Sequence, residues 1–470
     1  MNVTRKIPSL EALCVALALA LAIALSFTVA LSSGYNSDAI YSYSQAKDII
    51  QFGTLSGWTY SASPFTFPDV ILSLPFVLIA ISPFNFHLIT APIQLIIFAI
   101  LFDHSRDSKE SKSALAYLAF SIASVFTLFL GTLIFRPPFY FLAEPCFVLV
   151  HHGGAVLSAI VIYSRLHKRP LGANWKRNIA YSLAILLLTI SDLFFCLYFG
   201  SLLLASLWKG FTRNRLMSIA LFGLLSAGCL FVSWKYNPSL KVQIHSSTMS
   251  DSDAGLSTKI HNFFKILVIL IMPAIMLILL KIKKLASEES IDLFFASIII
   301  SLFVIFAGLI SDVYSYRYLV FIYVVSLIMC AKILATIPSK ILLILGFFSL
   351  IGVSIAMIHV ANQQGRDSEQ LYKAEIDCLK KYAPTGSTIA AEYWPAKIIF
   401  ESTHRKYNLV QLDSRLSRLN WVYNVRWNNI FQSKELVFLV LNNIDQKSIK
   451  LPRGRQLCGG KLLAVSHPWD

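Results

Sequence analysis

The chain has 470 residues, 56% of them hydrophobic and only 14% charged, with a mean hydropathy of +0.64. A soluble protein of this length carries more charge on its surface, so the composition excludes that class and indicates a membrane protein. The net charge of +16 lies mostly in short loops between apolar blocks. That is the positive-inside pattern, not the basic patch of a nucleic-acid binder.

Residues 12–32 carry no charge and are long enough to cross a bilayer core as a helix. Arg5 and Lys6 precede them, and no clear A-x-A site follows. They read as an uncleaved first span, with a cleaved signal peptide as the alternative. Ten more spans are expected at 87–102, 114–134, 151–164, 178–190, 193–208, 216–234, 264–280, 291–310, 318–333 and 341–360. The loop 165–177 holds Arg165, Lys168, Arg169, Lys176 and Arg177, and the loop 281–290 holds Lys281, Lys283 and Lys284. Such loops stay inside, which puts the N-terminus in the cytoplasm and the C-terminus outside after eleven crossings. The apolar run 178–208 has basic residues at both ends, so it folds as a hairpin with Ser191-Asp192 at its outer tip. Residues 69–82 are expected to lie at the outer interface, bent at Pro75. A short hairpin over 69–102 is the alternative.

From about residue 361 the charge density becomes ordinary and β-type runs appear at 387–391, 436–441 and 461–466. An amphipathic helix at 368–382 precedes them. The expected fold is thus membrane all-α: a polytopic bundle of about 11 transmembrane helices over 1–360, with an interfacial helix in the first outer loop. A small soluble α/β domain over 361–470 faces the periplasm. Cys14, Cys196, Cys229 and Cys330 lie in apolar blocks and read as small core residues. Cys378 and Cys458 are the two cysteines of the C-terminal domain, and outside the cytoplasm they can pair.

Polar residues at the edge of a membrane bundle are functional candidates. The first outer loop places Asp38 just past the first span, among Asn36, Tyr41 and Tyr43, with Trp58, Tyr60, Phe65 and Phe67 beyond. A carboxylate there suits a general base, and aromatic faces suit sugar rings. A helix cap is the simpler role for Asp38, and a favourable helix-start charge for Asp69. The second outer loop holds Arg136, Glu144, His151 and His152, followed by Gly153-Gly154. Its histidines suit a phosphate hydrogen bond or a proton relay. Asp192 is a cap or a polar contact. Arg317, with Tyr318 beside it, suits a lipid phosphate or an interfacial anchor. P-loop, G-x-G-x-x-G, H-E-x-x-H and G-x-S-x-G motifs are all missing, so ATP-driven transport and serine hydrolysis have no support.

This order of features resembles the GT-C class of integral-membrane glycosyltransferases, nearest to the protein mannosyltransferase and aminoarabinose transferase branch. The features are an acid in a long aromatic outer loop, a Pro-containing interfacial helix, an acid in the next outer loop, and a late Arg317-Tyr318-Leu319. The resemblance covers roughly 1–360. It implies Asp38 as catalytic base, Glu144 as a second acid, and Arg317 at the donor phosphate. Arg136, His151 and His152 are further candidates for that phosphate. Asn36, Tyr41, Trp58, Asp69, Asp192 and Tyr318 are candidates for substrate contact. The chain departs from the class in having Asp38-Ala39 in place of paired acids and Phe67-Pro68-Asp69 in place of Lys-Pro-Pro. The expected function is sugar transfer from a polyprenyl-phosphate donor to an outer-face glycan, lipid or protein, in the bacterial inner membrane. No cofactor is required, although Asp38 and Glu144 would suit a shared divalent metal. The rival readings are a lipid-linked sugar flippase and a glycan polymerase or ligase.

Overall fold

The computed structural model describes residues 9–32, 38, 40–59, 66–105, 113–135, 143–147, 152–168, 175–209, 213–236, 256–307, 309–310, 314–362, 372–413, 416, 419, 423–427, 437–441 and 452–465. Among the described residues seven helices are long and apolar enough to cross a membrane: Leu10–Ser32, Pro83–Asp103, Ser113–Ile134, Phe263–Ile282, Glu288–Phe306, Ser315–Leu334 and Ser339–Val360. The chain is therefore a multi-pass membrane protein. The expected spans 151–164, 178–190, 193–208 and 216–234 correspond to helices Gly153–Lys168, Trp175–Ser191, Phe194–Ala205 and Arg213–Tyr236. The first three are shorter than the seven.

The chain divides into two compact units. One comprises Met1–Val29, Thr90–Tyr236 and Lys241–His359; the other comprises Ala30–Ile89, Asn237–Leu240 and Val360–Asp470.

The first unit is a helical bundle. Its centre is α12 (Val320–Leu334), in which every residue from Val320 to Ala331 is buried. Its neighbours are α5 (Ser113–Phe135) and α10 (Leu256–Ile282). Thr127 of α5 donates to the Tyr323 hydroxyl at 3.3 Å, which satisfies a polar pair that lipid could not. Leu17 and Leu21 of α1 (Leu10–Ser32) pack with Leu118 and Ile122 of α5 and Leu342 of α13 (Ser339–Val360). A Cβ at Gly346 would come within 2.7 Å of the Leu17 side chain, so the glycine lets α13 approach α1. On its other side α13 exposes Phe347, Phe348 and Ile355, as a lipid-facing helix does.

The second unit is built on a five-stranded sheet of order β3-β2-β5-β7-β6. Strands β2 (Thr388–Glu392), β3 (Asn408–Leu412) and β5 (Val437–Val440) are parallel. Strands β7 (Leu462–Val465) and β6 (Arg455–Leu457) continue antiparallel. Three expected runs coincide with β2, β5 and β7. Strands β3 and β6 had no such signal. Helix α15 (Tyr393–Ser402) is the crossover from β2 to β3 that parallel pairing requires. Ala390, Val410, Leu439, Leu463 and Val465 share one buried cluster. Helix α14 (Lys373–Tyr382) is tied to the segment between β6 and β7 by the Cys378–Cys458 disulfide, across 80 residues. Closing a loop of that length removes about 4–5 kcal/mol of unfolded-chain entropy.

The same unit contains the first loop. Helix α2 (Tyr41–Phe52) is polar, yet it buries Tyr41, Ser42, Tyr43, Ser44, Gln45, Ala46 and Asp48. It ends on Gly53, whose left-handed φ of 70° lets its N–H reach the Ile49 carbonyl at 2.8 Å. Strand β1 (Trp58–Thr59) pairs antiparallel with β4 (Tyr423–Asn424). Asp48, fully buried, accepts from Trp58 Nε1 at 2.7 Å, Asn424 Nδ2 at 2.5 Å and Trp427 Nε1 at 3.2 Å, and it pairs with Arg405. Arg405 also binds Glu401 at 2.5 Å, and Lys47 binds Glu401 at 2.8 Å. Burial pushes the Glu401 carboxyl up, but Arg405 and Lys47 outweigh it and hold the group below its ordinary value. Within the region 69–82 the helix is α3 (Ile71–Leu78), entered by a turn at Thr66–Val70. It packs on α2 and exposes Ile71, Leu78 and Ile79.

Removing Arg405 takes the guanidinium from two buried carboxylates and leaves Lys47 on Glu401 and the amide and indole donors on Asp48. Arg405→Met is expected to destabilise this unit by about 3–5 kcal/mol, read as a lowered thermal midpoint of the purified protein. An unchanged midpoint would show that the ion cluster contributes nothing.

Candidate functional site

In an open sheet with parallel strands, ligands bind outside the carboxyl ends of those strands, where neighbouring connections diverge. Strand β2 lies between β3 and β5, and its carboxyl end is Glu392, which leads directly into α15. Pro395 sits in the first turn of α15, where its missing N–H costs no hydrogen bond. Tyr393 and Lys397 are four residues apart, so they share one face of that helix.

Asp38 is met at this end of the sheet. The Tyr393 hydroxyl donates to Asp38 Oδ1. Lys397 Nζ lies 4.4 Å from the centroid of the Tyr393 ring. Asp38 is half-buried, whereas Lys397 is fully buried. Burial pushes the Lys397 ammonium down to about 7, against the opposing pull of the Asp38 charge. Burial also raises the Glu392 carboxyl above its ordinary value. A part-exposed carboxylate, a phenol bonded to it and an amine that titrates near neutrality are equipped for proton transfer at a hydroxyl.

Tyr41 and Trp58 belong to the packed interior of this unit. Tyr41 is 3% exposed and Trp58 7%, and their rings lie 5.5 Å apart. Trp58 also meets Trp427 edge to face at 4.9 Å, beside its bond to Asp48. Asp69 is buried in the turn before α3, and its main-chain carbonyl accepts from Ser73 at 2.7 Å.

The first unit holds a second constellation. His152 precedes α6 (Gly153–Lys168), and Asp192 lies between α7 (Trp175–Ser191) and α8 (Phe194–Ala205). Both side chains are buried. His152 Nδ1 lies 2.8 and 3.0 Å from the two Asp192 oxygens, and Asp192 Oδ1 also accepts from the Phe194 N–H at 3.0 Å. Asp192 therefore holds the first N–H of α8 and orients the imidazole, with the proton on Nδ1 and Nε2 turned elsewhere. Phe194 and Tyr318 stack at 4.7 Å, and His152 lies 5.5 Å from the Tyr318 ring. Arg317 stands 5.6 Å over Tyr318, and the Tyr198 hydroxyl holds the Tyr318 carbonyl at 3.1 Å.

Glu144 begins a short 3-10 turn, Glu144–Cys146. A Cβ at Gly153 would fall 1.8 Å from the Pro145 carbonyl oxygen, so only glycine permits that approach. Gln94 Nε2 binds the same oxygen at 2.7 Å. Asn36, Arg136 and His151 lie outside the described residues. Tyr393, Lys397 and Asp48 were not singled out by the sequence. The one available signal was the four-residue spacing of Tyr393 and Lys397 after a strand.

No family model matches the chain, and no curated protein or solved structure matches it.

The buried lysine sets a pH dependence. The unfolded chain keeps the Lys397 proton up to about 10.5, whereas the folded protein releases it near 7. The unfolded state thus binds the extra proton between those values, and stability rises with pH across that window. Lys397→Met is expected to raise the thermal midpoint at about pH 6, with a gain that shrinks toward about pH 10. A gain independent of pH would refute the assignment.

Proposed function

We propose that this protein is an inverting GT-C-type glycosyltransferase, which moves a sugar from a polyprenyl phosphate to an acceptor hydroxyl on the outer face of a bacterial inner membrane. The observation that carries the reading is Asp38: a half-buried carboxylate just past the first span, hydrogen-bonded to Tyr393 at the carboxyl end of the parallel strand β2. On this reading the chain crosses the membrane eleven times, with its N-terminus inside and the C-terminal domain outside. The Cys378–Cys458 disulfide supports an oxidising compartment for that domain. The exposed apolar residues of α3 support its place at the outer interface.

Asp38 takes the proton of the acceptor hydroxyl as that oxygen attacks the anomeric carbon. The bond from that carbon to the phosphate oxygen breaks, and the lipid phosphate leaves with the electron pair. The resemblance to the class assigns the charge of that phosphate to Arg317, with its planar fork, and keeps His152 as a further candidate. Asp192 keeps His152 in the required orientation. Arg136 and His151 are assigned to the same anion from sequence. Glu144 is assigned as the second acid. The acceptor is a glycan, a lipid or a protein.

Transfer of labelled sugar from polyprenyl-phosphate donors, in proteoliposomes, tests the reading. Wild type is expected to transfer, and Asp38→Asn to lose about a hundredfold or more of that rate while remaining folded. Transfer that survives the substitution would remove Asp38 as base. Lipid translocation with no transfer from any donor would replace the enzyme by a flippase.

A further inference from the structure

We propose that Tyr393 and Lys397 are positioning residues for Asp38, so that the C-terminal domain is part of the catalytic apparatus and not only an acceptor-binding appendage. The inference rests on the assignment of Asp38 as the base.

A base needs one orientation, and Asp38 lacks a helix to supply it. It precedes α2, whose N-cap is Ile40, and its main-chain carbonyl accepts from the Tyr41 N–H at 3.2 Å. The side chain is fixed instead from 355 residues away, by the Tyr393 hydroxyl on Oδ1. Tyr393 is aimed in turn: it opens α15 straight from β2, and Lys397 one turn later lies against its ring at 4.4 Å. Lysine is an expensive residue to bury completely when a methionine would fill the same space. A charge kept there at a cost in stability marks a role beyond packing. The far end of the same helix is anchored independently, by Glu401 on Lys47 and Arg405. Helix α15 therefore holds the first loop at two points, one structural and one directed at the base.

The test is a kinetic cycle in proteoliposomes with wild type, Tyr393→Phe, Asp38→Asn and the double variant, with Lys397→Met as a fifth protein. Tyr393→Phe keeps the ring and removes only the hydroxyl. It is expected to lower kcat by roughly ten- to a hundredfold, the loss of one hydrogen bond to a charged group, with KM for the acceptor unchanged. In the Asp38→Asn background it is expected to cost nothing further, and Lys397→Met is expected to lower kcat with KM unchanged. Equal losses in both backgrounds, an effect on KM alone, or an unchanged kcat would overturn the proposal. If wild type transfers from no donor, the transferase reading falls and the catalytic role of Tyr393 falls with it. The thermal midpoints of the same four proteins then judge the contact: losses that sum to more than the double variant's loss keep the pairing, and additive losses overturn it.

Discussion

Arg405 carries one positive charge into a space that already holds two buried carboxylates, Asp48 and Glu401. None of the three would be stable there alone, because burial without a partner costs several kcal/mol for each ion. Together, with Lys47 on Glu401 and the amide and indole donors on Asp48, they satisfy one another. Arginine suits the position because its planar fork reaches Asp48 and Glu401 at once, and its face lies 5.6 Å over Trp427 and 5.4 Å over Phe400. The residues belong to opposite ends of the chain, 354 or more positions apart. This cluster holds α2 against α15, and with it the β1–β4 pair and the loop that carries Asp38.

The consequence for function is a division of labour. The carboxylate read as the base is attached to the first loop, but its orientation is supplied by α15 of the C-terminal domain. The imidazole read as a phosphate contact is oriented in the same manner within the helical bundle, by a carboxylate that also accepts from the first N–H of α8. In both places a reactive side chain is fixed by a partner remote in sequence, and the partner is anchored by structure that has another reason to exist.

Much of the architecture was legible because it is periodic or compositional. Long uncharged runs mark the seven helices, and alternating or continuous β-branched runs mark β2, β5 and β7. Strand β6 was not, since Arg455–Leu457 is short and polar. Nor was β3, whose signal is diluted by Asn408 and Gln411. The cysteine pair followed from a count of two in one domain. Asp38, His152, Asp192 and Arg317 stood out as polar residues beside apolar blocks. Asp48 did not, because it sits in an ordinary amphipathic segment and its partners are set by long-range packing. Trp58 looked like a sugar platform from composition, whereas its indole N–H is committed to Asp48. Lys397 did not stand out either, since nothing local announces that α15 turns it inward.

Hydrogen–deuterium exchange on the purified full-length protein tests the shared core most directly, by comparison of wild type with Arg405→Met. If the ion cluster joins the first loop to the C-terminal domain, exchange will rise together in 41–52 and in 388–412. A rise confined to 388–412, with α2 as protected as in wild type, would contradict the account.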